Sequence, residues 1–312
     1  MRAAFPSSKG HGSGFASPQA EQPPRGGREL HAVSKLGGQS IGVFDSGIGG
    51  LSVLRALRAE LPHERFIYVA DSGHAPYGER TQAHVLARSR AIVAYLVSQN
   101  VKALVMACNT ATAAAIRLLR AEHPTLPLIG VEPALKPAVS LSRTGRIGVM
   151  ATRSTLASAK FQALLAAQSG GTPPVEFIVQ PCDGLAAAIE ASAETGDTTK
   201  TRALCAQYAG AMGRFGTEAG QIDTLVLGCT HYPFASGPLR ALVGPDVQFI
   251  DNGPAVARQT RRLVQTGFST PDRPPEGSGA QVTLFATGQP HQLQAAAERW
   301  LGLSEPVNLL HF

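Results

Sequence analysis

The chain is short of aromatics, of charge, of cysteine and of long apolar runs. Aromatic residues make up 6% of its 312 residues, which disfavours a base-stacking nucleic-acid surface. No apolar run reaches the roughly 18 residues of a membrane span, so no membrane partner is expected. Charged residues are 16% and hydrophobic residues 44%. That is too little charge for a largely disordered chain and enough apolar material for a substantial core. Glycine (33) and proline (22) are abundant, but they follow no collagen period. The four cysteines are Cys108, Cys182, Cys205 and Cys229. None forms a C-x-x-C pair, so neither a zinc ribbon nor a thioredoxin-type site is expected. An apolar secretory stretch is also missing near residue 1. That points to a reducing, cytoplasmic setting with free thiols.

The net charge of +6 is uneven. Arg2, Lys9, Arg25, Arg28 and Lys35, against Glu21 and Glu29, give the first 40 residues +3. The remainder carries the other +3, without a basic stripe, so no specific nucleic-acid partner is expected. Residues 1–38 are rich in Ser, Gly, Pro and Arg and lack periodicity, and they read as a disordered N-terminal extension. Their Arg content also resembles a transit peptide, but the glycines, prolines and missing amphipathic pattern favour a plain flexible tail.

From Ile41 onward short apolar runs alternate with Ala/Leu-rich helical stretches. The runs are 41–44, 66–70, 103–107, 128–131, 147–150, 175–179, 225–227 and 247–250. Helices are expected over 51–60, 81–99, 111–122, 155–168, 185–194 and 199–215. This alternation predicts an α/β protein with parallel sheets covered on both faces.

The order then repeats. Ile41-Gly42-Val43 opens one half and Ile147-Gly148-Val149 the other. Leu104-Val105-Met106-Ala107-Cys108-Asn109-Thr110 recurs as Leu225-Val226-Leu227-Gly228-Cys229-Thr230-His231, and the segment 128–134 is echoed loosely by 249–255. Three landmarks in one order predict two pseudo-symmetric α/β domains facing one another across a cleft. The boundaries expected are 39–134 with 252–312 for the first domain and 135–251 for the second.

Ligands of open parallel sheets bind beyond the carboxyl ends of the strands, where Cys108 and Cys229 both fall. Each is followed by a helix start, with Asn109 or Thr110 as cap in one case and Pro233 in the first turn in the other. The positive end of a helix dipole lowers a thiol pKa, so thiolate and thiol forms are both expected to be accessible and the two cysteines to act as an acid/base pair. The plainer alternative is a pair of small buried hydrophobes. Cys205 reads as a helix-face residue and Cys182 as structural. The turn Asp45-Ser46-Gly47-Ile48-Gly49-Gly50 resembles a phosphate-holding loop. With Asp71 as a ribose-binding acid it would sketch a nicotinamide site. Ser52 replaces the third glycine, however, and the Asp45 charge would oppose a pyrophosphate. Asp45 fits better as a residue that binds an ammonium or moves a proton; a simple turn role stays open. The Pro76-Tyr77-Gly78 turn lies on the same rim, and His231 beside Cys229 suits proton transfer.

The segments 41–54, 68–80, 107–113, 130–138, 228–234 and 251–257 together resemble the cofactor-independent glutamate racemase family, within the aspartate/glutamate racemase superfamily. The resemblance covers nearly all of 40–257. It is carried most specifically by Cys108-Asn109-Thr110-Ala111 and by Gly228-Cys229-Thr230-His231-Tyr232-Pro233. It implies Cys108 and Cys229 as the acid/base pair, assisted by Asp45 and His231. It also implies Asp45, Ser46, Tyr77, Gly78, Asn109, Thr110, Thr230 and His231 as substrate contacts. Asp71 matches a further family acid, whereas the match of Glu190 is left open. No cofactor or metal is implied. The implied substrate is glutamate, with D-glutamate supplied for peptidoglycan. A cell-wall precursor as activator and a homodimer are left open.

One cysteine would remove the α-proton and the other return a proton to the opposite face. Alternatives are an aspartate racemase, an amino-acid-binding protein with two lobes around a cleft, and an inhibitor of a nucleic-acid enzyme. The last rests only on the basic tail. Because residues 1–38 carry no core pattern, their deletion is expected to leave the thermal midpoint within about 2 °C, a change of no more than about 1 kcal/mol. Calorimetry of the truncated chain checks this, and a large drop contradicts it.

Overall fold

The computed structural model describes Met1 and residues 40–171, 174–267 and 280–312. Apart from Met1, the extension expected at 1–38 lies outside the described residues. The described residues from Ser40 onward belong to one compact unit, and within it the described strands make two parallel sheets.

The first sheet contains β1 (Ile41–Asp45), β2 (Arg65–Ala70), β3 (Ala103–Met106), β4 (Leu128–Gly130), β9 (Gln281–Ala286) and β10 (Val307–Leu309), in the order β10-β9-β2-β1-β3-β4. The second contains β5 (Arg146–Ala151), β6 (Glu176–Pro181), β7 (Thr224–Leu227) and β8 (Gln248–Ile250), in the order β6-β5-β7-β8. The helices are α1 (Leu51–Glu60), α2 (Gln82–Ser98), α3 (Asn109–Glu122), α4 (Leu135–Leu141), α5 (Arg153–Ala157), α6 (Ala159–Ser169), α7 (Leu185–Thr195), α8 (Thr199–Met212), α9 (Ser236–Val243), α10 (Gly253–Gly267) and α11 (Pro290–Leu301).

Strand side chains alternate between two cores, as the pleat requires. Ile41, Val43, Tyr68 and Val105 face Leu54, Leu57, Val256 and Leu293 of α1, α10 and α11. Phe44, Ile67, Val69 and Leu104 face Ile92, Leu96, Ile116 and Leu119 of α2 and α3. In the second lobe Met150, Leu225 and Leu227 pack on α7, α8 and α9. Ile147, Val149 and Val226 pack on α4 and α6. Burial on both faces is why these strands read as continuous apolar runs.

The repeat holds at the level of register. Gly42, Val43 and Phe44 stand beside Leu104, Val105 and Met106; Gly148, Val149 and Met150 stand beside Leu225, Val226 and Leu227. Leu104 pairs with Leu128 and Leu225 with Phe249, so the loosest of the three echoes is also structural. Cys108 and Cys229 therefore occupy equivalent positions two residues past equivalent strands.

Several expectations need correction. The single helix expected over 155–168 is two, α5 and α6. Ser158 takes an extended backbone between them, and its hydroxyl accepts from the Phe161 amide at 3.1 Å. That serine competes with helix continuation and starts a new one. The helix expected over 199–215 ends at Met212. The strands β9 and β10 lengthen the first sheet beyond the eight expected runs. α11 also reaches the other lobe, where Trp300 stacks on Phe234 with ring centroids 3.7 Å apart.

Candidate active site

In the first lobe β1 delivers Asp45 to the sheet's carboxyl end, fully buried. Its carboxylate accepts hydrogen bonds from the amides of Ser46 (2.8 Å) and Gly50, and from the Thr230 hydroxyl of the other lobe (3.2 Å). Beside it α3 begins at Asn109, one residue earlier than the expected cap allows. The cap is Cys108 itself: its sulfur accepts from the Ala111 amide at 3.4 Å. The Cys108 thiol also lies 3.8 Å from the Ser46 hydroxyl, toward which it donates.

In the second lobe Cys229 follows β7. Its sulfur is 3.6 Å from His231 Nδ1, and His231 Nε2 is 2.9 Å from Glu190 Oε1. The same Glu190 oxygen accepts from the Ile48 amide of the first lobe at 3.0 Å. Two glycines of the 45–50 turn make this possible. A Cβ on Gly47 would run into Glu190, and one on Gly49 into the His231 ring. The glycine-rich turn thus makes room for the opposite lobe, and its amides serve Asp45 and Glu190 in place of a phosphate.

Asp45, Ser46, Tyr77, Gly78, Cys108, Asn109, Thr110, Cys229, Thr230 and His231 all line one cleft, with a cavity volume of about 60 Å³. At roughly 10–15 Å³ per water the occupant is a small molecule. Asp71 and Glu190 stand behind the wall. The Asp71 carboxylate is buried and holds Arg88 (2.8 and 3.0 Å), the Tyr77 hydroxyl (2.5 Å) and the Thr287 hydroxyl (2.7 Å). It anchors the Pro76-Tyr77-Gly78 turn and has no capacity left for a ribose.

Sequence reasoning missed a strip of the wall from the second lobe: Thr152, Arg153, Thr155, Cys182 and Asp183. The signal was available, since Thr152 is the register equivalent of Ser46, one residue past the strand. Cys182 was expected to be structural only; it is buried and also lines the cleft. All four cysteines are free. Among the described residues no cluster of His, Cys, Asp or Glu is arranged to hold a metal.

The expected lowering of the thiol pKa fails at Cys108. Burial pushes this thiol far up, and the Asp45 charge adds to it; the Ala111 amide and Ser46 hydroxyl pull down too weakly to compensate. Desolvation of the charged form outweighs one helix-start amide. Burial likewise raises Asp45 against the His231 charge and its amide hydrogen bonds. At His231 burial works toward the neutral ring, yet the hydrogen bonds to Cys229 and Glu190 hold it well above its ordinary value. At Glu190 burial is likewise overcome, and His231 lowers the carboxyl.

Two parallel-sheet lobes that bring two thiols, a carboxylate and an imidazole into one small cleft define a proton-moving enzyme acting on a small molecule. The comparisons with known proteins agree. The Asp/Glu/Hydantoin racemase family matches residues 49–260. A glutamate racemase of Ectopseudomonas mendocina is 46% identical over 270 residues, covering 86% of this chain and 97% of that one. The crystal structure of a glutamate racemase isoform from Bacillus anthracis superposes with a TM-score of 0.72 at 30% identity, covering 88% and 97% of the two chains. That of the Escherichia coli glutamate racemase, in complex with L-glutamate and activator UDP-MurNAc-Ala, has a TM-score of 0.72 at 28% identity, covering 87% and 98%. The chain belongs to the Asp/Glu/Hydantoin racemase family, among its glutamate racemases.

The Glu190–His231 pair has a defined pH signature. Folding raises His231 above 6.5 and lowers Glu190 below 4.5. The imidazolium's share of stability is complete below 6.5 and is lost as pH rises through the raised value. The carboxylate's share is complete above 4.5 and is lost as pH falls through the lowered value. The substitution Glu190→Gln is therefore expected to destabilise most between 4.5 and 6.5. The cost is about 1–3 kcal/mol, below the about 3–5 of a fully buried pair, because Glu190 keeps 28% exposure. Thermal melts across pH check this. A wild-type-to-variant gap that does not narrow at alkaline pH contradicts it.

Proposed function

We propose that the chain interconverts L- and D-glutamate by a two-base reaction at Cys108 and Cys229. One observation carries this reading: the two thiols end equivalent strands of two facing lobes and line the same cleft. Inversion of an α-carbon needs a base on one face and an acid on the other, and a pseudo-two-fold arrangement supplies one of each. The names of the relatives and the L-glutamate in the Escherichia coli structure support the substrate.

In this scheme one thiolate takes the α-hydrogen as a proton, and the bonding pair stays on the substrate as a carbanion. The opposite thiol gives its proton to the other face, and the reverse reaction exchanges the roles. Burial that raises a thiol pKa makes its thiolate the stronger base, which suits a weakly acidic Cα–H. Asp45 on the Cys108 side and His231 on the Cys229 side would assist the sulfurs, one taking the proton its cysteine has gained and the other returning a proton to the opposite thiolate, with the roles exchanged in the reverse direction. Ser46, Tyr77, Gly78, Asn109, Thr110 and Thr230 would bind the substrate, and backbone amides, Thr110 and Thr230 would stabilise its developing charge with fixed donors. The scheme draws on no cofactor. The lobes that close on the substrate would be 39–134 with 252–312, and 135–251.

The resemblance extends the proposal to a cytoplasmic enzyme supplying D-glutamate for peptidoglycan. Among the described residues no helix is long and apolar enough to cross a membrane. A cell-wall precursor is proposed as activator on the strength of the Escherichia coli complex; a homodimer rests on the family resemblance alone.

Incubation with L-glutamate in D₂O, without added cofactor, tests the reading. Deuterium is expected at the α-carbon, and D-glutamate is expected to appear. Binding without exchange would make the protein a receptor, and faster exchange of aspartate would reassign the substrate. Cys108→Ala and Cys229→Ala are each expected to slow racemisation by at least about 10²–10⁴-fold. Full turnover in either variant rejects the two-base scheme. A single Cys→Ser variant is expected to exchange the α-proton of one enantiomer only.

A further inference from the structure

The chain passes from the second sheet back to the first between β8 and α10, through Asp251 and Asn252. Asn252 is only 4% exposed. Its Nδ2 donates to Asn109 Oδ1 at 3.2 Å, across the junction of the two lobes. Asn109 is itself 6% exposed and part of the cleft wall. Its other amide atom, Nδ2, is buried without a partner, as is Asn252 Oδ1. An unpaired buried donor is costly, and a donor of this kind in a substrate cleft is suited to an anionic oxygen.

A side-chain amide has a donating end and an accepting end, so the pair has two arrangements. In the one observed, Asn252 donates and Asn109 keeps its donor free. In the other, Asn109 donates to Asn252 and is left with a carbonyl oxygen, which repels a carboxylate. We propose that Asn252 is a positioning residue: it holds Asn109 by the carbonyl, so that the free end of that amide is the one that binds a substrate carboxylate. This deepens the glutamate reading and rests on it. The geometry joins the donor's orientation to the inter-lobe crossover, so the donor is set where the lobes meet.

The test uses glutamate kinetics on the full chain, with calorimetric binding of glutamate in parallel. A carboxylate at 252 only accepts, so Asn252→Asp forces the second arrangement. KM is expected to rise about 10-fold or more with kcat little changed, the mark of binding lost equally in ground and transition states. Asn252→Ala frees the amide to adopt either arrangement, and KM is expected to rise about two-fold, since about half the molecules are competent. In an Asn109→Ala background, Asn252→Asp is expected to add nothing. A merely structural role would carry its cost into that background. An unchanged KM in folded Asn252→Asp overturns the proposal, as does an equal rise without Asn109. If Asn252→Asp does not fold, a fall in kcat or an unchanged KM in Asn252→Ala overturns it. Wild-type protein that binds glutamate without racemising it sinks the catalytic reading alone, and the binding constants then decide the role of Asn252. Wild-type protein that does neither sinks both.

Discussion

The cleft exists because hydrogen bonds cross it at its base. Glu190 accepts from the Ile48 amide of one lobe and holds His231 of the other. Thr230 donates its hydroxyl to Asp45, and its carbonyl accepts from Ser52 at 2.7 Å. The two Thr230 bonds tie the 45–52 segment of the first lobe directly to the loop that carries Cys229, and Glu190 on α7 links the same two segments through Ile48 and His231. Two lobes that each place a thiol at a strand end would be useless to one another if they were free to drift. These bonds set the distance and facing of the two halves, and the burial of the two Thr230 bonds makes breaking them costly.

The same burial sets the chemistry. Exclusion of water penalises the charged forms of Cys108 and Asp45, so protons are held where a solvated site would release them. An ordinary, easily ionised thiol would be a poor base for a carbon acid. In the proposed scheme the dry surroundings of Cys108 keep its proton in place and make its thiolate a stronger base when it forms. The two sides are equivalent in backbone and unequal in support, with a carboxyl beside Cys108 and an imidazolium–carboxylate pair beside Cys229. In the proposed scheme that asymmetry would let the two enantiomers behave differently.

The crossover from β8 to α10 adds a layer behind the wall. Asn252 arrives from the second sheet, yet its contact is a side chain of the first. Asp71 stands behind another part of the wall, where it holds Tyr77 and Arg88. Cys182 is the register equivalent of Asp71, since the amide of each bonds to the last residue of the central strand of its sheet. In the second lobe a small thiol stands where the first lobe has its anchoring acid, and there the strand end opens into the cleft.

Much of this was legible in the sequence. Apolar runs buried on both faces betray parallel strands, and a local repeat such as Leu-Val-Met-Ala-Cys against Leu-Val-Leu-Gly-Cys survives because both copies fill the same place in a sheet. Such features depend on neighbours close in the chain, so order, repeat and paired thiols could all be read. Other features depend on residues far apart. The glycines of the 45–50 turn looked like a phosphate loop, because only the folded chain brings Glu190 and His231 against them. The helix-start effect on Cys108 was a local rule, overruled by desolvation that only packing creates. Glu190 stands 41 residues from His231, and Asn252 stands 143 from Asn109. The sequence by itself determined the two α/β halves and the residue types at their strand ends. The tertiary structure decided which of those groups meet, which are dry, and which hold a proton, because these are properties of surfaces brought together.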